Sequence, residues 1–287
     1  MKARSIALFL AASAAMTACA DASTVGGSSS PSLAHGRGSG DLLLRWGYEG
    51  GFTPPEFQLT NLPAFSLYGD GTIVRPGPQI EIYPGPALPA LETLAVDERG
   101  VQAILDAALD AGLDTQDELT DLGSVGIADA PDTVFTLRAA GVDRTVHVYA
   151  LSEVEGRPPG MPKDEFEART ALLELVRQLG SVDDWLPDGS LGEVAVYEPA
   201  GVRAFVSTYR GQDDLPQRNL DWPLATSLAD AGDDMGNGFR CIAVTGDDWS
   251  KLLEPIAREA NRLTPWTSGG QRFAVAFRPL LPDESGC

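Results

Sequence analysis

The chain has 287 residues, of which 41 are acidic and 21 basic, giving a formal net charge of −20 at pH 7. An acid excess of this size repels phosphate backbones and anionic lipid headgroups alike, which excludes nucleic-acid binding and electrostatic attachment to membranes. With 43% hydrophobic residues the chain can still bury an ordinary core, and its length suits one large domain or two small ones.

At the amino terminus, Lys2 and Arg4 precede residues 6–15, a run without charge and with one hydroxyl, Ser13. This is the layout of a signal peptide. The run has about ten residues where a membrane-spanning helix needs about twenty, so residues 1–18 are expected to be cleaved. The residues Met16-Thr17-Ala18-Cys19 resemble a bacterial lipobox, with Met16 where leucine is usual. That resemblance implies that Cys19 is diacylated, becomes the first residue of the mature chain and holds it to the membrane by two acyl chains. Cleavage by an ordinary signal peptidase, with Cys19 unmodified, is the alternative. Loss of residues 1–18 removes Lys2 and Arg4 and no acid, so the net charge moves from −20 to −22. Residues 20–40 are mostly Ser, Gly and Ala; with Cys19 they make an expected lipid-anchored flexible linker, residues 19–40, spanning about 25 Å on average. His35 falls within it and is expected in solvent.

Residues 41–287 are expected to form a globular α+β domain of antiparallel sheet with about three packed helices, as one body or as two lobes, 41–180 and 181–287. Residues 64–68 and 72–75 flank Gly69-Asp70-Gly71, where Asp-Gly tolerates the positive φ of a tight hairpin. Residues 79–83 alternate and suggest a strand. Asp97 can cap a helix whose apolar positions Val101, Ile104, Leu105, Ala108 and Leu109 recur at helical spacing, with Gly112 as its stop. A second hairpin is expected from residues 132–139 and 144–151, then a helix over 162–179 with Phe166, Leu172, Leu173, Val176 and Leu179 inward. Strands follow at 193–198, 202–209 and 239–245. A third helix carries Trp249, Leu252, Leu253, Ile256, Ala260 and Leu263 on one face, with Asp247 and Asp248 as its cap and Pro255 as a kink or break. Alternation through Phe273, Val275 and Phe277 marks a last strand.

With Cys19 assigned to the lipid, Cys241 and Cys287 remain for an oxidising compartment, and a disulfide between them is expected. It would close a loop of 47 residues, worth about 4 kcal/mol in chain entropy. Two free thiols, or a metal pair with His147 as the nearest soft ligand, are the alternatives.

Catalytic motifs are missing. Neither Gly189-Ser190-Leu191-Gly192 nor Ser268-Gly269-Gly270 has the spacing of a nucleophile elbow, and neither a phosphate-cradling loop nor a zinc-protease helix is present. His147 alternates with Val146 and Val148 and is expected to be a structural strand residue rather than a base. Asp-Asp pairs at 183/184, 213/214, 233/234 and 247/248 could offer oxygen ligands, above all Asp230, Asp233, Asp234 and Asn237, yet their register fits no calcium loop and a solvated turn is the better reading. Trp185, Trp222, Trp249 and Trp266 are expected in the core rather than on a sugar-binding platform. No catalytic residue, metal or cofactor is assigned.

The segments Leu67-Tyr68-Gly69-Asp70-Gly71-Thr72, Tyr83-Pro84-Gly85-Pro86-Ala87-Leu88, Val148-Tyr149-Ala150-Leu151 and Arg278-Pro279-Leu280-Leu281-Pro282-Asp283-Glu284 resemble uncharacterised exported lipoproteins of GC-rich Gram-positive bacteria. The resemblance implies a place on the outer face of the cytoplasmic membrane and no activity. The expected function is non-catalytic binding of an envelope partner, with a small-solute or glycan receptor and a carboxylate-dependent hydrolase as alternatives.

Overall fold

The computed structural model describes residues 32–211 and 215–287, and Leu33 to Cys287 form one compact unit. Its fold is mixed α and β, with two largely antiparallel sheets and four α-helices. In chain order the elements are β1 (Leu42–Gly50), α1 (Pro55–Thr60), β2 (Phe65–Tyr68), β3 (Thr72–Pro76), β4 (Leu91–Val96), α2 (Glu98–Asp110), β5 (Pro131–Leu137), β6 (Arg144–Tyr149) and α3 (Lys163–Gly180). They continue with β7 (Leu191–Val196), β8 (Gly201–Thr208), β9 (Leu220–Asp221), β10 (Asp233–Gly236), β11 (Phe239–Thr245), α4 (Glu254–Ala257), β12 (Pro265–Ser268) and β13 (Gln271–Pro279). None of the described helices is long and apolar enough to cross a membrane.

The first sheet is antiparallel throughout, in the order β6-β5-β1-β2-β3-β4-β7. Its helix-covered face packs Leu44, Leu67, Ile73 and Leu94 against Ile104, Leu105 and Ala108 of α2 and Leu172, Leu175 and Leu179 of α3. Helix α2 begins where Asp97 accepts a hydrogen bond from the Gly100 amide and buries Val101, Ile104, Leu105 and Ala108, as its spacing requires. In α3 the buried set is Ala168, Leu172, Leu175 and Leu179, and Phe166, Leu173 and Val176 are half-buried. The same helix buries Arg169, whose guanidinium donates to the carbonyls of Leu119 and Tyr149 and so ties α3 to the end of β6.

The second sheet has the order β10-β11-β8-β13-β12-β9, with β12 and β9 its one parallel pair. Val206, Val244, Val275 and Phe277 pack there with Trp222, Trp249 and Trp266. The chain passes from the first sheet to the second between Val196 and Gly201, so β7, which falls after residue 180, belongs to the first sheet through its pairing with β4. In the β2–β3 turn, Gly71 has φ +85°, and a Cβ there would lie 2.2 Å from the Val96 carbonyl oxygen. Only glycine fits.

Three expectations are corrected. Residues 79–83 form no strand: Pro78, Pro84, Pro86 and Pro89 supply no ladder donors, and the stretch finds no partner strand despite its alternation. The third helix is shorter and less regular than its apolar spacing suggests. It runs as a π-helix over Asp248–Leu253, then as α4, where Pro255 occupies the first turn, and Leu263 lies beyond its end. Asp247 is itself helical and pairs with Lys251 at 2.9 Å, and neither it nor Asp248 caps the helix. The end of the expected linker is anchored on the domain, with Leu33 and His35 partly buried while residue 34 and residues 36–40 stay exposed. Leu33 exchanges hydrogen bonds with Gln102 of α2, Gly36 lies against Gly69, and the fully enclosed His35 side chain sits 3.2 Å from Glu98 while Arg37 pairs with the same carboxylate.

Candidate functional site

Two features stand out: an apolar groove along the free edge of the first sheet, and an ionic clasp between the sheets. The groove has a volume of about 560 Å³. One side is β7, an edge strand with β4 as its single neighbour among the described residues, which exposes Val194 and Val196 to 53% and 71%. The other side is the proline-rich segment 77–90, which carries Ile80, Leu88 and Pro89 into the groove, and Pro199, Trp249 and Pro279 close its floor. Hydrogen bonds from the Ala87 amide to the Ala260 carbonyl and from the Arg262 amide to the Gly85 carbonyl hold that segment to the connection between α4 and β12. On its far side, Ile82 and Tyr83 border a second depression of about 910 Å³ with Tyr209, Arg210 and Arg262. Exposures of 74% at Ile80 and 75% at Tyr83 leave this wall as an apolar surface in water.

The clasp grips the carboxyl-terminal residues 280–287. Arg278 of β13 makes a bidentate pair with Glu284 at 2.6 and 2.8 Å and also donates to the Asn61 carbonyl. Arg45 of β1 donates to Asp283 at 2.7 Å, and the Tyr68 hydroxyl donates to the same carboxylate oxygen at 2.9 Å. Arg203 of β8 donates to the Gly286 carbonyl, Tyr197 donates to the Leu280 carbonyl, and Cys287 is disulfide-bonded to Cys241 of β11. The tail therefore bridges both sheets.

Its electrostatics are those of a brace. Burial alone would raise the Glu284 carboxyl, but the bidentate Arg278 and the Leu281 amide outweigh it and hold the group below its ordinary range. Burial pushes the Tyr197 hydroxyl up to about 12, helped by Glu284 and Asp283, and it also raises Tyr68. Burial would lower Arg45, yet its bond to Asp283 leaves it raised and charged. Asp97 and Glu98 are lowered as well, Asp97 chiefly by the Gly100 amide and Glu98 by His35, Gln102 and Arg37 against a burial effect of opposite sign. A general acid needs a shift in the other direction. The cleft beside the clasp, about 810 Å³ and lined by Arg203, Arg278 and Glu284, thus offers charges that already satisfy one another.

The sequence-derived candidates are placed as follows. Cys19 and residues 1–31 lie outside the described residues, as does the pair Asp213/Asp214. Cys241 and Cys287 are joined, with Cα atoms 5.9 Å apart. His147 pairs with Val134 in the β5–β6 ladder, its carbonyl accepts from the Leu119 amide, and it lines none of the three depressions. Asp233 and Asp234 belong to β10, in a hairpin turned by Asn237 at φ 52° and Gly238 at φ 81°. Asn-Gly at such a turn was a readable hairpin signal. Among the described residues no group of three or more His, Cys, Asp or Glu is placed to hold a metal ion. Trp222, Trp249 and Trp266 are buried, and Trp185 packs partly buried against the first core. Sequence reasoning missed Arg45, Arg203 and the clasp as a whole, since no local pattern links residues so far apart. Comparison with protein-family models, curated proteins and solved structures returns no match.

Proposed function

We propose that this chain is an envelope lipoprotein, exported and held by Cys19 at the outer face of the cytoplasmic membrane, whose α+β domain acts by binding and not by catalysis. The observation that carries the reading is the groove at β7. It is walled mainly by Pro, Val, Ile and Leu side chains and by strand backbone; its two charged residues, Glu92 and Arg258, are paired with Arg75 and Glu254, and no nucleophile lies beside a base and no two carboxylates face one reaction centre there. The carboxylates that depart from their ordinary range depart downward, against the hydrolase reading. A Trp-lined cleft would favour a glycan receptor, and Trp222, Trp249 and Trp266 are buried with no exposed ring face for a sugar to stack on.

Two measurements on the full chain test the proposal. Cys19→Ser is expected to move the protein from the membrane fraction to the medium, and retention in the membrane fraction would refute the anchor. The purified protein is expected to show no turnover on ester, peptide, phosphate or glycoside panels. A rate well above buffer that vanishes with His147→Gln or a single Asp substitution, at unchanged melting temperature, would refute the binding reading.

A further inference from the structure

We infer that the free edge of β7 is a β-augmentation site for an extended segment of another protein, one with apolar side chains at alternate positions and Lys or Arg at its flanks; this rests on the reading of the domain as a binding module. The first argument is the direction of the backbone. The Tyr197 amide donates to the Leu91 carbonyl, and the register pairs Val196 with Glu92, Ala195 with Thr93 and Val194 with Leu94. In an antiparallel ladder successive residues alternate between facing the partner and facing away. The N–H and C=O groups of Val194 and Val196 therefore point away from β4, toward an edge that no further strand covers among the described residues. A row of spaced donors and acceptors is matched by another peptide backbone, whereas a small solute would leave part of it unanswered.

The second argument is the groove itself. A strand added to β7 would set alternate side chains on opposite faces, one set over Val194 and Val196 and the other toward Ala195, Ile80 and Leu88. The side toward Ala195, Ile80 and Leu88 is an apolar wall and accepts apolar side chains, whereas the side over Val194 and Val196, 53% and 71% exposed, is open to water and accepts Thr, so apolar residues are required at alternate positions. At the outward positions Val194 and Val196 neither a charge nor a proline blocks the edge; Glu193 and the register shift between Leu94 and Val96 confine the open stretch to residues 194–196.

Charge selects among occupants. Residues 181–202 contain five acids, Asp183, Asp184, Asp188, Glu193 and Glu198, and no Lys or Arg. Glu193 and Glu198 are exposed and bracket the outward-facing valines. A second copy would bring the same acidic strand antiparallel to itself, on a body of equal negative charge, and is disfavoured. A segment with basic flanks gains where the copy loses.

The test uses a fluorescent synthetic peptide that alternates Val and Thr between Arg-Lys flanks, titrated into the full chain. Binding is expected, with slowed hydrogen exchange at the amides of Val194 and Val196. Val194→Pro removes an outward donor and no ladder bond; Val194→Lys keeps that donor but adds a cation beside the basic flank. Each is expected to weaken binding about tenfold or more while the melting temperature stays near that of the parent chain. A peptide with Glu flanks, or with Pro in place of Thr, is expected not to bind. Equal binding by both variants, protection away from β7, no binding of the basic peptide, or a concentration-dependent dimer protected at β7 would each overturn the inference. Such a failure, with no turnover in the enzyme panels, leaves the binding-module reading standing; turnover removes that reading whatever the peptide does.

Discussion

Replacing Glu284 with Gln tests whether the carboxyl-terminal tail is a structural brace. Glu284 and Arg278 are 13% and 9% exposed, so the substitution leaves a nearly buried guanidinium facing a neutral amide. Removing one partner of a buried pair costs about 3–5 kcal/mol, and Gln keeps one acceptor worth about 1 kcal/mol, which leaves about 2–4 kcal/mol at pH 7. For a chain of this size that is a fall in melting temperature of roughly 4–16 °C. Because folding lowers the Glu284 pKa, its contribution is fully present above the ordinary value of 4.5 and is lost as pH falls through the lower folded value. The gap between parent and variant should therefore close in acid, when the parent carboxyl is itself protonated. Urea unfolding at pH 7 and at successively lower pH measures it. A loss under about 0.5 kcal/mol at pH 7, or a gap that persists unchanged in acid, refutes the brace. Pairing Glu284→Gln with Arg278→Met should recover much of the loss, since the stranded charge is then gone.

Two further outcomes follow from the same packing. Thiol labelling of the unfolded, unreduced chain should find neither Cys241 nor Cys287 free, and Cys241→Ala with Cys287→Ala should cost up to about 4 kcal/mol in urea unfolding, because the bond joins cysteines at a sequence separation of 46; stoichiometric labelling of both sulfurs contradicts it. Gly71→Ala should destabilise by about 2–4 kcal/mol, combining a left-handed backbone with a contact at 2.2 Å to the Val96 carbonyl, whereas Gly50→Ala, at φ +70° with open space around it, should cost about 1 kcal/mol. Equal thermal shifts for the two glycines would show that the close approach at Gly71 does not matter.

Helix α2 was legible because its determinants lie within a dozen or so residues: Asp97 as cap, apolar side chains three and four apart, and Gly112 at φ +86° past its end. The β2–β3 and β5–β6 hairpins were legible for the same reason, and Cys241 with Cys287 because they are the two cysteines left once Cys19 is set aside. Strand β1 was not read, although it sits mid-sheet between β2 and β5, since its apolar run is uninformative until both neighbours are known. Residues 79–83 show the opposite case, where strand-like alternation met prolines and no partner. Arg278, Asp283, Glu284 and Tyr68 meet in the clasp and Gly71 makes the tight turn, roles that only the folded chain assigns to these residues. The groove was invisible for a related reason: Val194 and Val196 resemble any other strand valines until the sheet order leaves β7 without a second neighbour. Local backbone preference and the chemistry of single residues determined the hairpins, α2 and the disulfide from sequence alone. The edge, the clasp and the docking of residues 33–40 depend on which distant segments meet, and tertiary packing alone decided those contacts.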